Sequence, residues 1–153
     1  MTQQPDIAAL TDHLGYWLRL VSNHVSHAFA RGIEGQGVTV AEWVVLRQLY
    51  DVDALAPSRL AERMGMTRGA ISKLADRLIA KALIARTEDP DDGRGHTLAL
   101  TPAGRRLVPE LARIADENDA AFFAPLSPRE RAAVEAAMRR IVEARGLKDM
   151  PTT

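Results

Sequence analysis

The chain contains no cysteine. Disulfides, thiolate-bound metals and thiol redox chemistry are therefore excluded from its repertoire. Aromatic residues are scarce, at 5%, with two Trp, two Tyr and three Phe. No apolar stretch reaches the roughly 18 residues that a membrane span needs. The N-terminal region lacks a basic start followed by an apolar run, so a cytoplasmic protein without membrane contact is expected. Net charge is missing too, because 20 Lys and Arg oppose 20 Asp and Glu. No Gly-x-Ser-x-Gly setting surrounds a serine, and neither a glycine-rich phosphate loop nor His-Glu-x-x-His occurs. The residues offer no catalytic set and no cofactor site, so an enzyme is not expected.

What is present fits a globular protein: 153 residues, 46% hydrophobic and 26% charged. That length suits one compact domain or a small core with an added helical layer. Charge is unevenly spread. Residues 57–106 hold ten bases (Arg59, Arg63, Arg68, Lys73, Arg77, Lys81, Arg86, Arg94, Arg105, Arg106) against six acids. Acids outnumber bases on either side. Phosphate contact depends on a local positive patch more than on the chain average.

Hydrophobic periodicity predicts a first helix from about Ile7 to Arg31, where Leu10, Leu14, Leu18, Val21, Val25 and Phe29 recur at steps of three or four. Gly32, Gly35 and Gly37 are expected to break it. Thr39 and Glu42 form a capping box that opens a second helix. After the connector 51–57, Pro57 suits the first turn of a third helix, and Gly65 ends it. Thr67 caps a fourth helix over about 68–82. Two short strands, Leu83 to Glu88 and His96 to Leu100, flank a turn-rich loop. Thr101-Pro102 opens a fifth helix, in which Pro109 predicts a kink. Ser127 and Glu130 form a second capping box before a last helix, which Gly146 stops.

The central motif is Leu60-Ala61-x-x-Met64-Gly65-Met66-x-x-x-x-Ile71-x-x-Leu74. Ala61 is small enough for two helices to cross closely, and Gly65 accepts the positive φ of a tight turn. The apolar residues make a shared wedge, which leaves Arg68, Gly69, Ser72, Lys73, Asp76 and Arg77 pointing outward. That face is polar and basic at its start. It suits a helix laid in the major groove, where base edges offer acceptors to Arg and Lys. Gly69 permits close backbone approach, and the helix N-terminus beside Thr67 favours a phosphate. The bland alternative is an amphipathic helix pair with a solvated face. The following hairpin favours the first reading, since a plain bundle needs none. Its loop places Arg94 at a glycine-flanked tip suited to the minor groove, with Asp92 near enough to hold the guanidinium.

Arg86, Asp92, Arg94, Leu98, Leu100, Thr101 and Gly104 stand at spacings that resemble the MarR family of bacterial transcription regulators. The resemblance covers about residues 7–146. It implies a mainly α fold with a small β-wing: a winged helix-turn-helix core over about 39–101, with dimerisation helices over about 7–32 and 102–146. Residues 1–6 and 147–153 are expected to be flexible termini. It further implies a homodimer, the fourth helix in the major groove and the wing in the minor groove. Two-fold symmetry then predicts a near-palindromic operator on double-stranded DNA. A repressor released by a small aromatic or phenolic effector is expected. Tyr16, Trp17, His24 and Trp43 are the candidates to line the effector cleft, with His13, His24 or Arg47 pairing a carboxylate, although tryptophans at helical spacing also serve simple packing. The family usually carries glycine where Ala82 stands. If that site needs positive φ, alanine costs about 1 kcal/mol.

His24 and His27 share a helix face, but a metal would need a third ligand from Asp12, Glu34 or Glu42. Surface histidines are the simpler reading, and no metal site is expected. The neutral net charge keeps one rival alive, a winged helix that docks a protein without reading DNA.

Overall fold

The computed structural model describes residues 4–88, 91 and 95–148. Its elements are a 3-10 turn at Leu10–Asp12, then α1 (Leu14–Glu34), α2 (Val40–Tyr50), α3 (Pro57–Met64), α4 (Arg68–Ala80), β1 (Ile84–Glu88), β2 (His96–Leu100), α5 (Pro102–Phe122) and α6 (Pro128–Arg145). The architecture is the expected one, mainly helical with a small β-wing.

The first helix starts later than its periodicity suggests. Asp12 accepts the Ala9 N–H at 2.9 Å and closes the 3-10 turn, and His13 is extended. Ile7 and Leu10 are 80% and 73% exposed, so the described residues offer them no apolar cover that would draw them into helix. Gly32 does not break α1 but lies inside it. A Cβ there would sit 3.1 Å from Ile114 Cγ2, so its bareness lets α5 approach. Asn118 on α5 fixes the crossing by donating to the Val25 carbonyl at 3.1 Å. The chain turns at Gly37, where φ is +77°.

Local signals account for the middle of the chain. The Thr39 hydroxyl accepts from Glu42 N at 3.2 Å, and Glu42 Oε1 accepts from Thr39 N at 3.4 Å. Two of the orphan N–H groups at the start of α2 are thereby satisfied. Pro57 stands in the first turn of α3, and Gly65 ends that helix with φ +61°. The Met66 N–H reaches back to the Ala61 carbonyl at 3.0 Å. The helix-turn-helix core buries Val45, Leu46 and Leu49 of α2, Leu60 and Ala61 of α3, and Ile71, Leu74, Ala75 and Leu78 of α4. Ile84, Leu98, Val108 and Leu111 close it from the wing and α5. Fully burying one leucine-sized side chain contributes about 1.5–3 kcal/mol, so this cluster holds α4 in place.

The strands pair antiparallel, Ile84 opposite Leu100 through Glu88 opposite His96. The connector contributes a contact that the sequence reading missed. Leu55 exchanges two backbone hydrogen bonds with Leu98, each 2.9 Å, and so fastens the α2–α3 segment to β2. The α5 helix runs on through Pro109 to Phe122. The Ser127–Glu130 capping box opens α6, and Gly146 ends it with φ +61°. No residue of α6 is buried. At its base, Arg131 pairs with Asp119 and lies 6.0 Å over the Phe123 ring.

Candidate nucleic-acid interface

The fourth helix separates cleanly into two faces. Ile71, Leu74, Ala75 and Leu78, at helical spacing, are buried, while Arg68, Gly69, Ser72, Lys73, Asp76 and Arg77 are all exposed. The burial of one face dictates the exposure of the other. Thr67 caps the helix by accepting from Ala70 N at 3.1 Å. This leaves the hydroxyl next to the first exposed arginine at the positive end of the helix dipole.

The electrostatics of the exposed face favour an anion. Its acid, Asp76, is engaged by Arg86 of β1, with Nη2 3.4 Å from Oδ1. Among the described residues, the side chains of Arg68, Lys73 and Arg77 have no acidic partner. A zero net charge over the chain thus coexists with three uncompensated cations on one helix face. Gly69 is exposed, and a Cβ there would meet nothing within 4 Å. Among the described residues, no packing asks for glycine at this position.

The wing is bound to the end of that helix by several backbone contacts. Ala82 has φ +58°, a left-handed conformation, so the strain expected from the missing glycine is present. The Thr101 hydroxyl donates to the Ala82 carbonyl at 2.7 Å and accepts from Gly104 N at 3.1 Å. Thr101 N donates to the Leu83 carbonyl at 3.1 Å. A Cβ on Gly104 would lie 2.1 Å from that carbonyl oxygen. The spacing Leu98-x-Leu100-Thr101-x-x-Gly104 is therefore the footprint of α5 seated directly on the backbone that leaves α4. Thr87 and Thr97 share a hydroxyl hydrogen bond of 2.9 Å across the hairpin. Asp92 and Arg94 fall outside the described residues.

The residues expected to line an effector cleft do not converge on one cavity. Trp17 is half-exposed, donates from Nε1 to the Thr11 carbonyl at 2.9 Å, and meets Tyr16 edge-on at 5.4 Å. It lines an apolar groove of about 510 Å³ with Leu18, Val21, Phe122, Val134 and Met138. His13 holds its ring Nδ1 3.1 Å from the Ala9 carbonyl, and His24 is exposed on α1. Trp43 packs edge-on against Phe29 at 6.2 Å beside the core. Arg47 pairs with Asp51 at 2.7 Å and lines a separate polar groove with Gln48 and Arg63. Among the described residues, no group of three His, Asp or Glu side chains comes close enough to hold a metal ion. No described helix is long and apolar enough to cross a membrane.

A helix-turn-helix followed by an antiparallel hairpin, with the second helix of the pair presenting bare cations, defines a winged helix-turn-helix DNA-binding protein. The chain belongs to the MarR family of transcriptional regulators, whose model matches residues 36–95. It is 30% identical over 134 residues to the putative transcriptional regulatory protein for the hcr operon of Thauera aromatica, covering 87% of this chain and 81% of that protein. Among solved structures it is similar to BpsR of Bordetella bronchiseptica, whose DNA binding is described as regulated by 6-hydroxynicotinic acid. The identity is 28% and the TM-score 0.77, over 89% of this chain and 97% of the other. It is also similar to S. aureus MepR in complex with DNA, with 25% identity and a TM-score of 0.77 over 86% and 98% of the two chains.

Proposed function

We propose that this transcriptional regulator is a dimeric repressor that reads a near-palindromic operator with α4 and is released by a small aromatic or phenolic acid. The observation that carries the reading is the exposed face of α4, where Arg68, Lys73 and Arg77 surround Gly69 and Ser72 without acidic partners among the described residues. Arg68, Ser72, Lys73 and Arg77 contact bases or phosphates in the major groove, with Thr67 at the phosphate nearest the helix start. Arg94, braced by Asp92, serves the minor groove. The uncompensated cations favour duplex DNA over a protein partner on this face.

Pairing of two copies is supported by the surface of α1 and α6. Leu14, Trp17, Leu18 and Val21 on α1, and Val134, Met138, Ile141 and Val142 on α6, are 41–70% exposed. Contiguous apolar surface of this extent marks an interface, and α1, α5 and α6 form the dimerisation layer in this reading. The effector proposal draws support from BpsR, and from Trp17 at the apolar groove. Tyr16, His13, His24, Trp43 and Arg47 remain its candidate partners.

The test is a binding assay on duplexes that the purified protein selects from random-sequence DNA. Arg68→Ala and Lys73→Ala should each weaken binding and change the preferred sequence, at a cost of about 1–3 kcal/mol for a base-reading contact. Arg94→Ala should weaken binding on all sequences and lower the salt dependence. Wild-type binding in all three variants would defeat the assignment. Sedimentation at micromolar concentration tests the dimer. Titration with hydroxybenzoates and 6-hydroxynicotinate, followed by Trp fluorescence and by release of DNA, tests the effector.

A further inference from the structure

Glu42 is 1% exposed, the one buried charged residue among those described. Its Oε1 takes part in the cap of α2. Its Oε2 receives the Lys81 ammonium at 2.7 Å. The same ammonium donates to the Gly37 carbonyl, also at 2.7 Å. Lys81 is the C-terminal cap of α4, and Gly37 is the left-handed residue of the α1–α2 turn. One side chain thus joins the end of the reading helix, the first turn of α2 and the exit from α1. Burial alone would raise the pKa of Glu42, but hydrogen bonds from Lys81 and Thr39, with the Lys81 charge, outweigh it and hold the carboxyl below its ordinary value. The site therefore stays ionised and clamped at neutral pH.

We infer that Lys81 is a positioning residue for DNA discrimination: through Glu42 and Gly37 it fixes the tilt of α4 on the rest of the module, and it does not contact DNA itself. Its ammonium already has two strong acceptors. One residue further on, the Thr101 hydroxyl grips the Ala82 carbonyl, so α4 is held by two clasps past its last turn. Base edges must be met within about 0.5 Å, whereas phosphate contacts position the protein but carry no sequence information directly. Loosening the Lys81 clasp should therefore reduce the preference for the right sequence more than it reduces general DNA affinity. The inference rests on α4 being the reading helix.

The experiment compares fluorescence anisotropy of the full-length protein on two duplexes, one selected by the wild-type protein from random sequence and one scrambled. Glu42→Gln keeps an amide oxygen for the Thr39 N–H and so preserves the cap, while Lys81→Met removes the clasp from the other side. Each should lower the ratio of selected to scrambled affinity by about five- to tenfold, and the double variant should fall no further than the worse single one. Scrambled-duplex affinity and salt dependence should stay at wild-type values, and Lys81→Arg should recover most of the ratio. If Lys81→Met lowers the salt slope by about one while Glu42→Gln binds normally, Lys81 is a phosphate contact and the inference fails. It also fails if both variants melt earlier yet keep the wild-type ratio. Arg68→Ala and Lys73→Ala separate the two levels. An unchanged ratio there removes α4 as reader, whereas a lowered ratio there with a normal Glu42→Gln removes only the clasp.

Discussion

Replacing Ala82 by glycine should make the protein more stable, although it deletes a methyl group and adds chain entropy to the unfolded state. Ala82 follows the C-cap of α4 and has φ +58°. A left-handed L-residue costs about 1–2 kcal/mol, from the clash of its Cβ with the backbone. Glycine avoids that clash. Against this stands the greater freedom that glycine gives the unfolded chain, about 0.4–1 kcal/mol. The methyl is exposed, so little burial is lost. The hydrogen bond from the Thr101 hydroxyl goes to the Ala82 carbonyl and survives the change. The balance is a gain of roughly 0 to 1.6 kcal/mol. For a domain of this size it corresponds to a rise in Tm of about 2–4 °C per kcal/mol. Differential scanning calorimetry at one protomer concentration would read it, since any assembly makes Tm depend on concentration. Ala82→Val provides the opposite sign, because a β-branched side chain suits this φ even less. A glycine variant that melts below the wild-type temperature would show that strain at Ala82 falls short of the entropy glycine adds to the unfolded chain, and the strain argument would fail.

Gly104→Ala should destabilise the fold by about 1–3 kcal/mol or more, because its Cβ would sit 2.1 Å from the Leu83 carbonyl oxygen; urea unfolding would measure it. Gly69→Ala should act in the opposite direction on folding and on binding. Nothing lies within 4 Å of the new Cβ, so helix propensity adds up to about 1 kcal/mol, while the methyl hinders backbone approach to DNA and weakens affinity; an alanine variant that binds as well as wild type would remove the reason given for this glycine. The pKa of Glu42 is lowered below its ordinary 4.5 in the folded protein, so its contribution to stability is complete above about pH 4.5 and declines as pH falls through the lower, folded-state value. Denaturant midpoints between pH 5 and pH 3 should fall less steeply for Glu42→Gln than for wild type.

The parts that were legible in the sequence are those governed by local chemistry. Thr39 with Glu42, and Ser127 with Glu130, mark helix starts because a hydroxyl and a carboxylate three residues apart satisfy each other's N–H groups. Gly65 and Gly146 mark helix ends because the chain turns there with positive φ. The faces of α4 followed from period alone, so every proposed reading residue on it is exposed. Features that depend on a distant partner were not legible. The helical period at Ile7 and Leu10 reports an apolar stripe but not what covers it, and regular helix waits until Leu14. Gly32 looked like a breaker because its role depends on Ile114, some eighty positions later. Glu42 was legible as a cap. Its second bond, to Lys81, joins residues 39 apart in the chain and left no local trace. Leu55, the largest apolar residue of the connector 51–57, was the available sign of its bridge to Leu98.

That bridge has a consequence for how the hairpin can vary. At Leu98 the second strand is flanked on both sides, by Arg86 in the sheet and by Leu55 from the connector, so the root of the hairpin is a small three-way weld with no open margin at that point. A change at Leu98 must therefore be accommodated on two sides at once, by the sheet and by the connector.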